Sequence, residues 1–435
     1  MKGLLLSALL IGILVLAGCT AQPAYPAANA TVNQSLPAQN VSNPVVNPQP
    51  QQGSSDLAVS HNTFGFNLFS ILSNGSGPDE NILISPASIE LALSMVYAGS
   101  AGTTRDAMGS ALALGNISPD MLNQESFGLM QSLSNRSDVN LSIANSLWVN
   151  SAMGFRFRQD YQANMAAYYN ATAQALNFSD EPASANAING WVGDKTNGKI
   201  TSIVSPDVLS TCEAALVDAV YFKGKWTTPF DKNLTQDMAF TAGNGSQVQV
   251  PMMSQGGNYM YFQENDSSGT LQAIMLPYGN GSGPGISMYV FLPGNMNSFL
   301  QGLNESTWNG MMDEFSADDG TILLPKFTYE YGTDLVPQLT GLGMGVAFSN
   351  AANFTNMSDI PLKISTVLHK AYISTDEEGT EAAAVTFVGV VETTAVAPRN
   401  PPFYMEVDRP FFYAIVDENT GEILFMGVVN DPSTQ

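Results

Sequence analysis

The stretch STVLHKAYISTDEEGTEAAAVT, residues 365–386, joins an extended run to a series of small residues. Between them stand Glu377 and Glu378, followed by Gly379, which supplies a flexible hinge. Alternate side chains of an extended chain point to opposite faces. One face would carry Thr380, Ala382, Ala384 and Thr386, all small and uncharged, and the other Glu381, Ala383 and Val385. This alternation is typical of a segment that can bury one face as a strand.

The chain around this stretch indicates a mixed α/β domain. From Leu57 to the C-terminus there is no second linker and no internal repeat. Helical periodicity is concentrated early, as in Pro86 to Tyr97, where Ser85 is a candidate N-cap. Strand-like runs dominate later, for example 423–429. Because helices and strands do not alternate strictly, we expect mixed α and β structure with largely antiparallel sheets.

The composition gives little support to catalytic, metal or nucleic-acid functions. The two histidines, His61 and His369, do not lie near a nucleophile motif, and His and Cys are too few for a zinc site. The glycines of TGLGMG, residues 340–345, lack the context of a dinucleotide site and fit a helix end followed by a turn. A net charge of −23, from 38 acidic and 15 basic residues, opposes binding to phosphate polyanions. We expect no catalytic residue, metal or cofactor.

Six segments, in family order, resemble the serpin family of protease inhibitors. They are NILISPASIELALSMVYAGSAGTTRDAM (81–108), INGWVGDKTNGKI (188–200), LVDAVYFKGKWTTPFD (216–231), LPKFTYEYGTDLVPQLTGLGMGVAF (324–348), STVLHKAYISTDEEGTEAAAVT (365–386) and DRPFFYAIVDENTGEILFMGVVNDP (408–432). The resemblance covers about residues 57–432. It implies a mixed α/β multi-sheet serpin fold with three β-sheets, about nine helices and an exposed reactive-centre loop at about 377–400.

The resemblance also implies a mechanism. A serpin offers its loop to a protease, which cuts the loop and forms an acyl-enzyme; the loop then inserts into the main sheet and distorts the protease. The first inserted residues must enter quickly, so their buried side chains should be small and uncharged, as they are from Thr380 to Thr386. We therefore expect a serine-type endopeptidase inhibitor that acts as a suicide substrate, with Glu377 to Thr386 as its loop hinge.

The position of the cut follows from counting along the loop. In inhibitory relatives seventeen residues run from the position of Glu377 to the residue before the scissile bond, which predicts a reactive bond at Thr393–Thr394. A shift by one residue, to Glu392 or Thr394, stays open. Cleavage after Arg399 would need a longer loop and ranks well behind.

The loop also suggests the class of partner. A small residue at the bond, with Val390 and Val391 upstream, favours elastase-like or subtilisin-like serine proteases, with cysteine proteases as a further option. Residues 103–140 contain only Arg105 and Arg136 as basic residues, so we expect no heparin-type cofactor. We expect a monomer that forms a covalent complex with its protease. The alternative is a non-inhibitory serpin that acts as a surface binding or chaperone-like module.

Other matched positions would be structural. In the family, the positions of Ser85, Ser88, Asn189 and His369 form a polar cluster beneath the region where the main sheet opens, and that of Trp226 lies at the top of the sheet. Buried polar groups of this kind must be hydrogen-bonded, and one such cluster could control opening of the sheet. The resemblance therefore makes His369 a core residue.

The N-terminus is typical of an exported protein. Lys2 precedes an apolar run from Leu4 to Ala17 that is short for a membrane span. Small residues before Cys19 resemble a prokaryotic-type lipoprotein signal, so residues 1–19 would be a signal peptide with a lipidated Cys19; an ordinary signal peptide is the alternative. The composition of residues 20–56 predicts a disordered Pro/Asn/Gln-rich tether. The resemblance assigns residues 57–435 to the serpin domain. We expect a protein at the extracellular face of the membrane, lipid-anchored or secreted.

Asn-x-Ser/Thr triplets recur along the chain. They include Asn29, Asn33, Asn40, Asn74, Asn116, Asn135, Asn140, Asn170 and Asn177, with others later. Many chance matches are expected in an Asn-rich chain, but extracellular glycosylation is a hypothesis that suits an exported protein. The other cysteine, Cys212, has no disulfide partner if Cys19 is lipidated or removed, so packing must stabilise the domain.

Overall fold

The computed structural model describes residues 55–134, 136, 139–267, 269–280, 285–380 and 401–434. The α-helices in these ranges are α1 (Ser55–Gly75), α2 (Pro86–Gly99), α3 (Gly102–Ala111), α4 (Pro119–Ser134), α5 (Gln159–Tyr169), α6 (Glu181–Lys195), α7 (Pro206–Leu209), α8 (Met296–Gly302), α9 (Glu305–Glu314) and α10 (Val336–Leu339). Within the described ranges, no helix combines the length and apolar character needed to cross a membrane.

The strands are β1 (Ile82–Ile84), β2 (Val139–Asn150), β3 (Thr172–Leu176), β4 (Ala214–Lys225), β5 (Gln236–Thr241), β6 (Gln247–Asp266), β7 (Gly269–Pro277), β8 (Ile286–Leu292), β9 (Ser316–Pro325), β10 (Phe327–Asp334), β11 (Thr366–Asp376), β12 (Gly379–Thr380), β13 (Phe403–Glu406), β14 (Phe411–Asp417) and β15 (Glu422–Val429). They form a six-stranded and a nine-stranded sheet.

Helix α2 is the central helix of the domain. Ser85 caps it by accepting a hydrogen bond from the backbone N–H of Ser88, and Pro86 occupies the first turn, where a missing N–H costs nothing. Nearly all of its residues are buried, because it packs against β2 and β4 of one sheet and β15 of the other. A helix that is apolar on most sides is stable only when covered in this way.

The six-stranded sheet has the order β10-β11-β12-β4-β2-β3. Strands β11 and β4 run parallel and pair directly over seven residues, from Thr366–Tyr372 on one side to Ala215–Tyr221 on the other. Beyond this ladder the short strand β12 lies between them and pairs antiparallel with both. The sheet is therefore mixed rather than antiparallel, and its two central long strands are separated only at one end.

The nine-stranded sheet has the order β1-β15-β14-β8-β7-β6-β9-β13, with β5 paired to β6. Its strand β6 is twenty residues long and pairs first with β5 and β9, then with β7. The resemblance implied three sheets, but the described residues form two. Because β6 pairs with strands at both of its ends, the second and third expected sheets form one continuous nine-stranded sheet. The edge strand β13 runs parallel to β9.

Alternation along β4 divides the core between the two faces of the six-stranded sheet. Leu216 and Val220 face the main core, whereas Ala215 and Val217 join a smaller core with Ile188 of α6. Each large side chain buried in this way contributes roughly 1.5–3 kcal/mol. The two faces thus carry different helices, α2 on one and α6 on the other.

Candidate functional site

The residues at the start of the predicted loop lie in a closed site between β4 and β11, which we call the hinge site (Trp226, Tyr278 and Asp376–Thr380). Thr380 is fully buried, and its hydroxyl lies 2.7 Å from the hydroxyl of Tyr278 and 3.3 Å from that of Thr375. Gly379 has a φ of +147°, and a Cβ there would lie 2.1 Å from the carbonyl oxygen of Gly224. Both the backbone angle and the space therefore require glycine.

Trp226 connects the end of β4 to the chain leading into the loop. Its indole Nε1–H donates to the carbonyl of Asp376 at 2.9 Å, and its backbone N–H donates to the carbonyl of Glu378 at 3.0 Å. Its ring stacks on Tyr278, with centroids 4.5 Å apart and planes 11° from parallel. Since Tyr278 also contacts Thr380, the tryptophan, the tyrosine and β12 form one packed group.

Two adjacent glutamates tie the same segment to neighbouring elements. The buried carboxylate of Glu377 accepts from Lys326 Nζ at 2.9 Å and from Thr235 Oγ1 at 2.8 Å. Burial opposes its ionisation, but hydrogen bonds, chiefly the one from Lys326, outweigh this effect and lower the pKa of Glu377. Glu378 pairs with Lys232 Nζ at 2.5 Å in a more exposed contact. Ion pairs thus hold both residues just before the hinge glycine.

A buried polar cluster lies further down, where β4 and β11 still pair directly. His369 and Asp218 are register partners across these strands, and Nδ1 of His369 lies 2.7 Å from Oδ2 of Asp218. The Ser88 hydroxyl of α2 donates to the other oxygen of Asp218, and the amide of Asn145 donates to the Ser88 carbonyl at 3.2 Å. Ser85 lies beside Ser88 as the cap of α2. The cluster bridges the two strands that would separate if the sheet opened.

The position of Asn189 differs from the sequence expectation. It lies on α6, where its amide donates to the carbonyl of Val204 and its oxygen accepts from the N–H groups of Ile203 and Val204. Helix α6 covers the opposite face of the sheet from α2, so Asn189 does not meet Ser88 or His369. Asp218 takes this place, and sequence reasoning missed it. The available signal was a single acid inside the apolar run 214–222, on the same face as Leu216.

His61 forms a second buried cluster on the other side of α2. Its Nδ1 hydrogen-bonds to Glu422 of β15, and its Nε2 lies 3.8 Å from Glu90 of α2. Burial lowers the pKa of His61, but the negative charges of Glu90, Glu422 and Glu125 and the hydrogen bond with Glu422 raise it to about 9. Burial raises the pKa of Glu90 to about 8, although His61 opposes this. Both groups therefore hold protons more tightly in the folded chain.

The remaining predicted site residues lie outside the described residues. These are the loop positions Glu381, Ala382, Ala383, Ala384, Val385 and Thr386, the predicted bond Thr393–Thr394, and the predicted lipidation site Cys19. The strand before the loop is β12, in the six-stranded sheet. The strand after it is β13, at the edge of the nine-stranded sheet. Segment 381–400 thus connects two different sheets.

Comparison with known proteins agrees with this architecture. A family model described as Serpin (serine protease inhibitor) matches residues 59–432. The chain is 33% identical over 402 residues to neuroserpin of Homo sapiens, covering 88% of this chain and 92% of that protein. It is 34% identical over 385 residues to an uncharacterised serpin-like protein of Methanosarcina mazei, covering 87% of this chain and 88% of that protein.

Solved structures give the same result. Native protease nexin-1 with heparin superposes with a TM-score of 0.76 at 27% identity, covering 87% of this chain and 99% of that one. Human thyroxine-binding globulin complexed with thyroxine superposes with a TM-score of 0.77 at 27% identity, covering 88% of this chain and 100% of that one. The fold predicted from the six sequence segments is therefore confirmed.

Proposed function

The chain belongs to the serpin family, and on that premise we propose that it inhibits a serine-type endopeptidase as a suicide substrate. The protease attacks the loop, forms an acyl-enzyme, and is trapped when the loop inserts between β4 and β11. We propose Thr393–Thr394 as the reactive bond, with elastase-like or subtilisin-like enzymes as targets. No residue of the chain acts as a catalyst in this scheme.

The observation that carries this proposal is the buried position of Thr380. Because β12 already pairs with both β4 and β11, Thr380 fixes which residues would point inward if the strand were extended. Side chains alternate along a strand, so Ala382, Ala384 and Thr386 would point inward after Thr380, while the charge of Glu381 would point outward. Every inward residue is small and uncharged, which supports insertion.

Insertion would change the pairing of the sheet. The seven direct pairs between β4 and β11 would break, including the pair of His369 and Asp218, and the new strand would then pair on both sides. Replacement of one ladder by two increases the number of backbone hydrogen bonds, so the cut protein should be more stable than the intact one. We propose that the polar cluster on Asp218, which joins the two strands, resists this opening.

The location of the protein forms part of the proposal. We propose that residues 1–19 direct export, that Cys19 carries a lipid, and that residues 20–56 tether the folded domain to the outer face of a membrane. A tether of that length reaches roughly 35 Å as a coil and 110 Å when extended. The loop would then meet proteases outside the cell.

Incubation of the whole protein with elastase-like and subtilisin-like proteases tests the mechanism. We expect a covalent complex that survives denaturant, and mass spectrometry should locate the cut at Thr393–Thr394. Thr380→Arg should turn the inhibitor into a substrate, because an unpaired guanidinium costs several kcal/mol to bury at this site. Thr380→Ser keeps a small hydroxyl and should still form the complex. Cleavage of the unmodified protein without any complex, and without gain in heat stability, would reject the proposal.

A non-inhibitory role has one observation in its favour. An open cleft of about 760 Å³ lies near α8 and α9, lined by apolar residues such as Phe262 and Met311 and by polar ones such as Glu264, Asn295 and Glu314. Its volume is in the range of small-molecule sites, and one structural relative is described in complex with thyroxine. As a carrier, the protein would bind a small molecule that has both apolar and polar groups, and it would form no covalent complex with any protease in the panel.

A further inference from the structure

Glycosylation triplets are far more frequent in this chain than composition predicts. The sequence has thirty-six asparagines, and sixty-nine of its 435 residues are serine or threonine. Independent placement would give about six Asn-x-Ser/Thr triplets, since each asparagine has a chance of roughly one in six of such a neighbour. The chain has sixteen. Composition alone therefore does not account for them.

None of the triplet asparagines that the structure describes is buried. Of the twelve triplet asparagines that the structure describes, eleven are exposed and Asn353 is partly exposed. The five buried asparagines of the described ranges all lie outside triplets, and they are Asn62, Asn81, Asn123, Asn145 and Asn150. A triplet that arose by chance would have no reason to avoid the core. The pattern is that of a surface feature.

The triplet asparagines whose amide nitrogen makes no hydrogen bond within the described residues include Asn74, Asn116, Asn140, Asn170 and Asn177. Asn170 illustrates the geometry, since it ends α5 in the left-handed conformation with φ of +49° and is exposed. By contrast, the amide of Asn244 donates to Asp79 and that of Asn356 donates to the Ser100 carbonyl.

The two strands that would separate in the proposed mechanism, and the strands β10 and β12 that pair with them, carry no triplet. None lies on β4, β10, β11 or β12, and none lies in residues 381–400. One triplet residue, Thr235, contacts the hinge site, since its hydroxyl donates to Glu377. Sugars at the other sites would cover the surface of the domain, but none would be attached to the two strands between which a new strand would insert.

We propose that the exported chain is N-glycosylated at Asn74, Asn116, Asn140, Asn170 and Asn177. The donor would be an oligosaccharide linked to a membrane lipid through phosphate. The amide nitrogen forms a bond to the anomeric carbon of the first sugar, the bond from that carbon to the phosphate oxygen breaks, and the amide proton leaves with the phosphate. The acceptor amide must be accessible, which these five are. This inference does not depend on protease inhibition.

Mass spectrometry of the full-length protein from the organism that produces it tests this inference. Peptides that contain the five asparagines should be heavier by whole sugar residues. Asn164, an exposed asparagine of α5 outside any triplet, is the matched control and should be unmodified. Unmodified asparagine at all five sites would overturn the inference, as would sugar at Asn164 to the same extent.

Variants made in the same organism separate the triplet from simple exposure. Asn170→Gln and Thr172→Ala should each remove the mass of one glycan, because one removes the acceptor and the other the hydroxyl that the transferase requires. Asn164→Gln should leave the glycan pattern unchanged. If Thr172→Ala retained the sugar on Asn170, the modification would not follow the triplet and the proposal would fail.

Discussion

Replacement of Glu377 by glutamine removes one charge from the hinge site and leaves a side chain of nearly the same shape. The Glu377 side chain is 7% exposed, and that of its partner Lys326 is 36% exposed. Exposed ion pairs contribute up to about 1 kcal/mol, and loss of one partner from a buried pair costs about 3–5 kcal/mol. This half-buried pair lies between the two cases, so Glu377→Gln should lower the free energy of unfolding by about 1–2 kcal/mol.

The neighbouring pair provides the control. Lys232 is 58% exposed and Glu378 is 14% exposed, so Glu378→Gln removes a charge of the same sign from a more solvated contact. Its loss should be smaller than that of Glu377→Gln, because solvent screens the pair. Urea unfolding of the two variants and the unmodified protein gives both values. If Glu378→Gln lost as much stability as Glu377→Gln, burial would not determine the strength of these pairs.

The pH dependence of the difference checks the cause. Since the folded pKa of Glu377 is lowered, its contribution is present above the ordinary value of 4.5 and is lost as pH falls through the folded pKa. The difference in free energy of unfolding between Glu377→Gln and the unmodified protein should therefore decrease as the pH falls. If this difference stayed constant down to strongly acidic pH, the effect would come from the shape of the side chain and not from its charge.

Two further predictions concern the buried histidines. Because the pKa of Glu90 rises from 4.5 to about 8 and that of His61 from 6.5 to about 9, folding favours their protonated forms, and this stabilisation is lost as pH rises through those folded values. Glu90→Gln should flatten the fall in urea midpoint between about pH 4.5 and 8, the ordinary and folded pKa values of Glu90, and an unchanged slope there would contradict it. Asp218→Ala should cost roughly 3 kcal/mol of unfolding free energy, because it leaves His369 and Ser88 buried without their partner, whereas Asp218→Asn should cost less than half of that. Equal losses in urea unfolding would show that the hydrogen bonds of Asp218 do not matter.

The sequence predicted those parts of the fold that depend on local chemistry. The Ser85 cap, Pro86 and the apolar residues after them predicted α2, and the structure has that helix with that cap. The alternation after Gly379 predicted a face of small residues that begins at Thr380. Thr380 is buried, and the other residues of that face lie outside the described residues.

Sequence reasoning failed where a site depends on contacts between distant elements. The resemblance predicted Asn189 in the cluster where the structure has Asp218, because a resemblance between segments does not reveal which face of the sheet a helix covers. The burial of His61 depends on Glu422, which follows it by 361 residues in the chain. The continuity of the nine-stranded sheet depends on both ends of β6 finding partners, and no local pattern carries that information.

The connection of two sheets by residues 381–400 has a consequence for the cut protein. Any cleavage within that segment divides the chain into two polypeptides, and the smaller one contains β13, β14 and β15. Every residue of β14 and β15 is buried, and these strands pair with β8, with β1 and with each other. The carboxyl-terminal fragment is thus a central component of the core with no remaining covalent attachment. Without denaturant the two fragments would travel as one particle, held together as the subunits of an obligate heterodimer are.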